Sequence, residues 1–244
     1  MHKNIKGTSL NYVDYGNAEG TTLLLLHGWG QCIDMMKPLG DPFQKDYRIV
    51  IVDLPGFGDS SEPEVAWNVT DYVECIREFI EELVISNLII IGHSFGGKIG
   101  LLYASKYDIE KLIVLGSPFK KEIKELSLKT KMLKKLKEVP GLNKFEGIAK
   151  KHVGSSDYRN ASALMRKILV NTINLDITDD VKKIKCSTII IWGDLDAEVS
   201  VERAYELEKL IDDAGVVVFP GCTHYAYLER LNQTINVIRV FIES

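Results

Sequence analysis

The chain has 244 residues, enough for one large domain or for one domain with an insertion. Its 45 % hydrophobic and 26 % charged residues are ordinary for a globular protein, and a net charge of -4 gives no general reason to expect nucleic acid as a partner. Four scattered cysteines without Cys-x-x-Cys spacing indicate neither a disulfide framework nor a zinc site. No apolar run follows the first residues and no stretch is long enough to span a membrane, so we expect no signal peptide, no membrane span and a cytoplasmic location.

Short apolar runs alternate with segments of helical periodicity along most of the chain. Strands are predicted over residues 2–16 (a hairpin), 21–26, 47–52, 88–91, 111–116, 188–192 and 216–219. Helices are predicted over about 70–83, 98–106, 201–211 and 227–242. This alternation predicts an α/β fold with a mainly parallel sheet that helices cover on both faces.

The alternation breaks between Pro118 and about Ile184, where the pattern favours helices and no strand. Amphipathic spacing predicts helices over about 123–139, 145–153 and 158–169. We therefore expect a core formed by residues 1–117 and 184–244, with a helical insertion over 118–183.

The insertion is strongly basic, because residues 120–151 contain eleven lysines against four glutamates. This stretch carries a charge of +7 and the remainder of the chain -11. A solvated outer face of amphipathic helices is the favoured interpretation. The alternative is steering of anionic substrates, or docking on an acidic partner or an anionic membrane surface; steering would weaken with added salt.

The sequence Gly92-His93-Ser94-Phe95-Gly96-Gly97 follows the apolar run 88–91 and precedes a predicted helix. A serine at a sharp strand-to-helix turn is exposed at the carboxyl edge of the sheet, and glycines on either side leave room for the turn. The backbone N–H of Phe95 at the helix start can face a developing oxyanion. Ser94 is therefore a candidate nucleophile; the alternative is a glycine-rich turn with an incidental serine.

A serine nucleophile needs a base and an acid that orients the base. Of the five histidines, only His224 follows the last predicted strand, which makes it the candidate base. The loop after the preceding strand offers Asp194, Asp196 and Glu198 as candidate acids, and a solvated acidic loop is the alternative. The order serine, acid, histidine along the chain is typical of the α/β-hydrolase fold.

The chain resembles the α/β-hydrolases from end to end. The matching motifs are His27-Gly28-Trp29-Gly30, Asp53-x-Pro55-Gly56-x-Gly58-x-Ser60, Gly92-His93-Ser94-Phe95-Gly96-Gly97, Gly193-x-x-Asp196 and His224. The resemblance implies a doubly wound sheet of about eight strands with a helical lid inserted after the sixth. It also implies Ser94 as nucleophile, Asp196 as acid, His224 as base, and the backbone N–H groups of Trp29 and Phe95 as the oxyanion hole.

Two sequence features indicate which α/β-hydrolases the chain resembles most. Ser94 argues against the dehalogenases and epoxide hydrolases of the family, which use an aspartate nucleophile. The first loop is His-Gly-Trp rather than the His-Gly-Gly-Gly of some lipases and esterases. The chain looks more like the small-molecule esterases and the hydrolases that cleave carbon–carbon bonds in diketones.

Glycine pairs at 28/30 and 56/58 lack the third glycine of a dinucleotide site, and no cluster has metal-ligand spacing.

These observations predict a serine hydrolase that cleaves a small carboxylic ester or related acyl compound through an acyl-enzyme intermediate. It would need no cofactor, would take a small-molecule ester or acyl substrate as its partner rather than nucleic acid, and would act as a monomer or homodimer. The same residues are compatible with carbon–carbon bond hydrolysis of diketone-type substrates. A ligand-binding member of the fold without catalytic activity is the alternative from another class.

Overall fold

The computed structural model describes residues 1–121 and 161–244. Eight strands in this part of the chain form one sheet in the order β1-β2-β4-β3-β5-β6-β7-β8. The strands are β1 (His2–Ile5), β2 (Thr8–Gly16), β3 (Thr22–Leu26), β4 (Arg48–Val52), β5 (Leu88–His93), β6 (Lys111–Leu115), β7 (Ser187–Gly193) and β8 (Ala214–Phe219). The helices are α1 (Ile33–Gly40), α2 (Val69–Glu82), α3 (Phe95–Ala104), α4 (Ala163–Asn174), α5 (Thr178–Val181), α6 (Glu202–Leu210), α7 (Ala226–Glu229) and α8 (Leu231–Glu243), and a short 3-10 helix spans Asp41–Phe43.

The sheet is parallel from β4 to β8, and the hairpin β1–β2 adds two antiparallel strands at one edge. The predicted α/β fold with a mostly parallel, doubly wound sheet of eight strands is therefore confirmed. Because parallel strands end at the same edge, the loops after β3, β5, β7 and β8 converge there.

Alternate residues of the central strands pack into two hydrophobic cores, one on each face of the sheet. In β3, for example, Leu24 and Leu26 belong to one core while Leu23 and Leu25 belong to the other, and all four are fully buried. Helices α2, α3 and α6 cover the first face, whereas α1 and α8 cover the second. The near-continuous apolar runs of the strands follow from burial on both sides.

Local sequence explains where several elements begin. Helix α2 starts at a capping box, in which the Asn68 side chain accepts from the Asp71 N–H and the Asp71 carboxylate accepts from the Asn68 N–H. Helix α1 is not predicted by the sequence analysis, because it is only eight residues long and contains Pro38. The predicted closing helix is two helices, separated at Arg230, whose backbone angles (φ -121°, ψ 44°) are not helical.

The described part of the segment between β6 and β7 is helical, formed by α4 and α5. The predicted helices over about 123–139 and 145–153 lie outside the described residues, as does most of the basic stretch 120–151, and the domain boundaries stay a prediction. The first two residues of the basic stretch are described. Lys120 forms an ion pair with Glu206 at 2.8 Å, and Lys121 donates to the side-chain oxygen of Asn174 at 2.7 Å. Within residues 1–121 and 161–244, no helix is both long enough and apolar enough to cross a membrane.

Candidate active site

Ser94 lies at the sharp turn from β5 into α3, with φ 51° and ψ -110°. This left-handed backbone is unfavourable for a residue with a side chain, and the surroundings hold it in place. The Ser94 N–H donates to the carbonyl of Leu115 at 2.9 Å. The predicted turn is therefore present, and it begins α3 at Phe95, three residues before the helix start expected from sequence.

Two glycines allow the chain to close around this turn. A Cβ on Gly92 would lie 2.5 Å from the Cα of Gly97, and a Cβ on Gly96 would lie 2.2 Å from the carbonyl oxygen of Leu26. Both distances are well inside van der Waals contact with backbone atoms, which cannot move as the end of a side chain can. The spacing of the glycines is thus a packing requirement of the turn between β5, α3 and β3.

His224 follows β8 and reaches Ser94 across the edge of the sheet. Its Nε2 lies 3.0 Å from Ser94 Oγ, and its Nδ1 lies 2.7 Å from Asp196 Oδ2. An ionised carboxylate can only accept, so Nδ1 carries the proton and the lone pair of Nε2 faces the serine hydroxyl. The structure therefore brings together the three side chains that the sequence analysis selected from three separate strand ends.

Asp196 is held by the loop after β7. Its side chain is 0 % exposed, and its second oxygen, Oδ1, accepts from the N–H groups of Glu198 at 2.8 Å and Val199 at 2.9 Å. Asp194 is exposed and accepts instead from the N–H of Gly221 at 2.7 Å. Of the carboxylates considered in this loop, Asp196 is the one whose hydrogen bond to His224 the structure describes.

His93, the residue before the serine, contacts both the backbone and the ring of His224. Its Nε2 donates to the carbonyl oxygen of His224 at 3.0 Å, and the two rings lie 4.8 Å apart between centroids. Burial, reinforced by the neighbouring His224, lowers the pKa of His93 to about 3, so the ring is neutral at ordinary pH. No role for His93 is predicted from the sequence, because this contact joins residues 131 positions apart and has no local signal.

The residues of the expected oxyanion hole lie next to each other. Phe95 is the first residue of α3, so its N–H has no acceptor within the helix. Trp29 lies in the loop after β3, and its ring is 5.4 Å from the ring of Phe95 and 4.8 Å from that of Phe57. The aromatic contacts hold the two loops together beside Ser94. The role of the two N–H groups stays a prediction.

Other motif residues at this edge stabilise loops rather than face the serine. His27 is fully buried, and its Nε2 accepts from the N–H of Leu54 at 2.9 Å. Burial lowers the pKa of His27 to about 4. The buried carboxylate of Asp53 accepts from the N–H of Ile33 at 2.7 Å and that of Asp59 at 2.9 Å, so it holds the start of α1 and the loop after β4.

A pocket of about 300 Å³ opens beside Trp29. Its wall contains apolar side chains from the core loops and from α4, together with two polar ones: Trp29, Phe57, Ala161, Met165, Glu62 and Ser162. The wall thus offers both apolar and polar surface, and the size of the pocket suits part of a small organic molecule. Within residues 1–121 and 161–244, no group of three or more histidine, cysteine, aspartate or glutamate side chains is arranged to hold a metal ion.

Comparisons with known proteins agree with this architecture. Residues 21–128 match the family model described as alpha/beta hydrolase fold. Lipase 1 of Psychrobacter immobilis is 28 % identical over 261 aligned residues, covering 96 % of this chain and 81 % of that protein. The pimeloyl-[acyl-carrier protein] methyl ester esterase of Aliivibrio fischeri is 23 % identical, covering 93 % of this chain and 95 % of that protein.

Among solved structures, a meta-cleavage product hydrolase from Pseudomonas fluorescens superposes with a TM-score of 0.77 at 21 % identity, covering 100 % of this chain and 97 % of that one. The likeness to this structure is a likeness of fold, whereas the lipase and the esterase are similar to the chain in sequence. With its eight-stranded sheet, the chain has the α/β-hydrolase fold, and the relatives that it resembles in sequence are a lipase and an esterase.

Proposed function

We propose that the protein is a serine hydrolase that cleaves a small carboxylic ester or a related acyl compound through Ser94, His224 and Asp196. The observation that carries the proposal is the continuous line of hydrogen bonds, 3.0 Å from Ser94 Oγ to His224 Nε2 and 2.7 Å from His224 Nδ1 to Asp196 Oδ2. A nucleophile within reach of a base, which a third group orients, is the arrangement that acyl transfer requires.

The first half of the reaction forms an acyl-enzyme. Ser94 Oγ attacks the ester carbonyl carbon while its proton passes to His224 Nε2, and the carbonyl electron pair moves onto oxygen. The N–H groups of Trp29 and Phe95 would stabilise this oxyanion. When the intermediate collapses, the bond to the alcohol breaks and His224 returns the proton to the leaving oxygen.

The second half releases the acid. His224 takes a proton from water, the hydroxide attacks the acyl carbon, and Ser94 leaves with the proton that His224 holds. The balance is one ester and one water converted to one acid and one alcohol, and these steps call for no cofactor. Asp196 keeps the proton on Nδ1 throughout, so that Nε2 is the atom that exchanges protons.

Two features favour ester substrates. Lipase 1 and the pimeloyl methyl ester esterase are named for ester hydrolysis, and both align with more than nine tenths of this chain. The wall of the pocket beside Trp29 includes the side chains of Trp29, Phe57 and Met165, which suit contact with an acyl chain or an apolar alcohol. A panel of esters with graded acyl chain lengths, compared by kcat/KM, would identify the preferred substrate.

Carbon–carbon bond hydrolysis is the second candidate, favoured by the structural likeness to a meta-cleavage product hydrolase. The same three residues would serve a diketone-type substrate, so the two candidates differ in substrate rather than in site. Turnover of aryl esters compared with vinylogous diketones separates them. Faster turnover of the diketones would overturn the ester proposal while leaving Ser94 as nucleophile.

The nucleophile itself is tested with a fluorophosphonate probe on the native protein. We expect one covalent adduct, located by mass spectrometry on the peptide that contains Ser94, and a loss of about 10⁴-fold or more in kcat for Ser94→Ala. Ser105→Ala is the matched control, because Ser105 lies at the opposite end of α3 and its hydroxyl donates to Leu102. Native protein that takes no label would favour a ligand-binding role instead.

A further inference from the structure

Lys98 is a fully buried lysine in the helix that carries the candidate nucleophile. Its side chain is among the largest that are buried completely, with 1 % of the residue exposed. Its backbone N–H donates to the carbonyl of Ser94 at 3.0 Å, so it lies one helical turn after the serine. A lysine is almost never fully buried unless its nitrogen has partners, and the proposed chemistry gives this one no role.

The partners of Lys98 are two backbone carbonyls at the carboxyl end of α4. Its Nζ donates to the Thr172 oxygen at 2.8 Å and to the Leu175 oxygen at 2.6 Å. The last carbonyls of a helix have no N–H donor within it and carry partial negative charge, so an amino group that donates to them is stabilising there. These bonds join the nucleophile helix to the segment between β6 and β7.

The bonds do not depend on the charge of the lysine. Burial lowers the pKa of Lys98 to about 8, while Asp176 opposes this shift. An ammonium has three donors and a neutral amine still has two, which is the number of carbonyls it reaches. The connection between α3 and α4 is therefore present in either protonation state.

The opposite end of α4 forms part of the pocket. Ser162 caps the helix by accepting from the Met165 N–H at 3.1 Å, and its hydroxyl donates to Glu62 at 2.9 Å. Met165 packs on Gly56 so closely that a Cβ there would lie 2.5 Å from its sulfur. A 12-residue helix is a rigid rod about 18 Å long, so its anchor at one end affects the pocket wall at the other.

We propose that Lys98 is a positioning residue, which fixes α4 and with it the pocket wall at Met165 relative to Ser94, and thereby sets the size of the acyl or alcohol group that the site accepts. The inference rests on the proposed ester hydrolysis and assigns part of its substrate selectivity to one side chain. It predicts that loss of the lysine affects large esters more than small ones.

The test is Lys98→Met, which keeps an unbranched chain but leaves the two carbonyls without a donor. We expect kcat/KM for a long-chain ester to fall about tenfold, mainly through KM, while kcat/KM for the acetate ester falls by no more than about twofold. Active sites are counted by fluorophosphonate titration, so that the two values refer to folded enzyme. Lys121→Met is the matched control, because Lys121 contacts Asn174 at the same end of α4 from an exposed position, and its ester ratio should equal that of the wild type.

A lysine that only stabilised the fold would lower the melting temperature and the active fraction but leave the ratio of the two esters unchanged, which would overturn the inference. If Lys98→Met does not fold, Lys98→Gln decides, because its amide keeps two N–H donors on a shorter chain. We expect a smaller fall in the same ratio, and a wild-type ratio would again overturn the inference. Wild-type protein that takes no probe and hydrolyses no ester would refute the proposed function itself.

Discussion

At the scale of single residues, the environment of each carboxylate distinguishes two aspartates that are two positions apart. Asp196 is fully desolvated and shared between His224 and two backbone N–H groups, whereas Asp194 is exposed and bonded to Gly221. Gly116, at the end of β6, borders the same pair, since a Cβ there would lie 3.3 Å from His224 Nδ1. An acid at that strand end would be close to the histidine as well, but the chain has a glycine there.

Asp196→Asn is therefore expected to lower kcat by about 10⁴-fold, because an amide no longer holds the proton on Nδ1 of His224 and the imidazole takes the wrong tautomer. Asp194→Asn is the matched control and should keep kcat within about threefold, since its contact is with a backbone N–H on the surface. Both are measured by steady-state turnover of the best ester from the panel. If Asp194→Asn lost turnover and Asp196→Asn kept it, the assignment of Asp196 as the acid would be wrong.

At the scale of elements, the turn between β5 and α3 depends on close backbone contact with β3. The glycine pattern that suggested a nucleophile in the sequence is also the pattern that lets these three elements approach each other. A Cβ on Gly96 would meet the backbone of Leu26, whereas a Cβ on Gly100, one turn further along α3, would meet only the side chains of Ile90 and Leu112. The two glycines of one helix thus differ in what a methyl group would meet.

Gly96→Ala should lower the free energy of unfolding by about 3 kcal/mol and abolish labelling of Ser94, because β3 or α3 must move to admit the new Cβ. Gly100→Ala should change the free energy of unfolding by less than about 1 kcal/mol, since the side chains 3.1 and 3.3 Å away can adjust and alanine is preferred in a helix. Urea unfolding and probe labelling measure both effects. Equal behaviour of the two variants would contradict this account of the turn.

At the scale of the whole molecule, two buried neutral histidines connect loops that are distant in sequence. His27 joins the loop after β3 to the N–H of Leu54 after β4, and His93 joins the turn after β5 to the His224 carbonyl after β8. Burial lowers the pKa of both below that of a free histidine, to about 4 and about 3. We therefore expect the edge of the sheet that carries the candidate site to be sensitive to acid.

The sign of the pH dependence follows from proton binding. Between about pH 6.5 and pH 4 the unfolded chain protonates both histidines while the folded protein keeps them neutral, so stability is fully present above pH 6.5 and is lost on acidification. We expect the free energy of unfolding to fall by up to about 1.4 kcal/mol per pH unit for each histidine. Urea unfolding from pH 7.5 to 4.5 measures the slope.

His27→Gln provides the control for this slope, because an amide can still accept from the Leu54 N–H but does not titrate. The variant should show a slope that is smaller by one proton than that of the wild type. An unchanged slope would mean that His27 is not a source of the acid sensitivity.

Most of the sheet, the sharp turn at Ser94 and the position of His224 after the last strand can be predicted from the sequence, because these features depend on local patterns. Apolar runs of four to six residues predict strands buried on both faces, and the glycine spacing predicts the turn. The eight-residue helix α1 and the break at Arg230 were not predicted, since short helices have little periodicity to detect. The assignment of the catalytic roles stays a prediction.

Which side chains contact each other depends on how the strands and helices pack. The spacing Gly193-x-x-Asp196 favoured one aspartate, but its contact with His224 depends on β7 and β8 lying side by side. His93 behind His224, and Lys98 against the end of α4, join residues 131 and at least 74 positions apart. A hydrogen bond needs two groups within about 3 Å, and for residues so distant in sequence only the packed fold sets that distance.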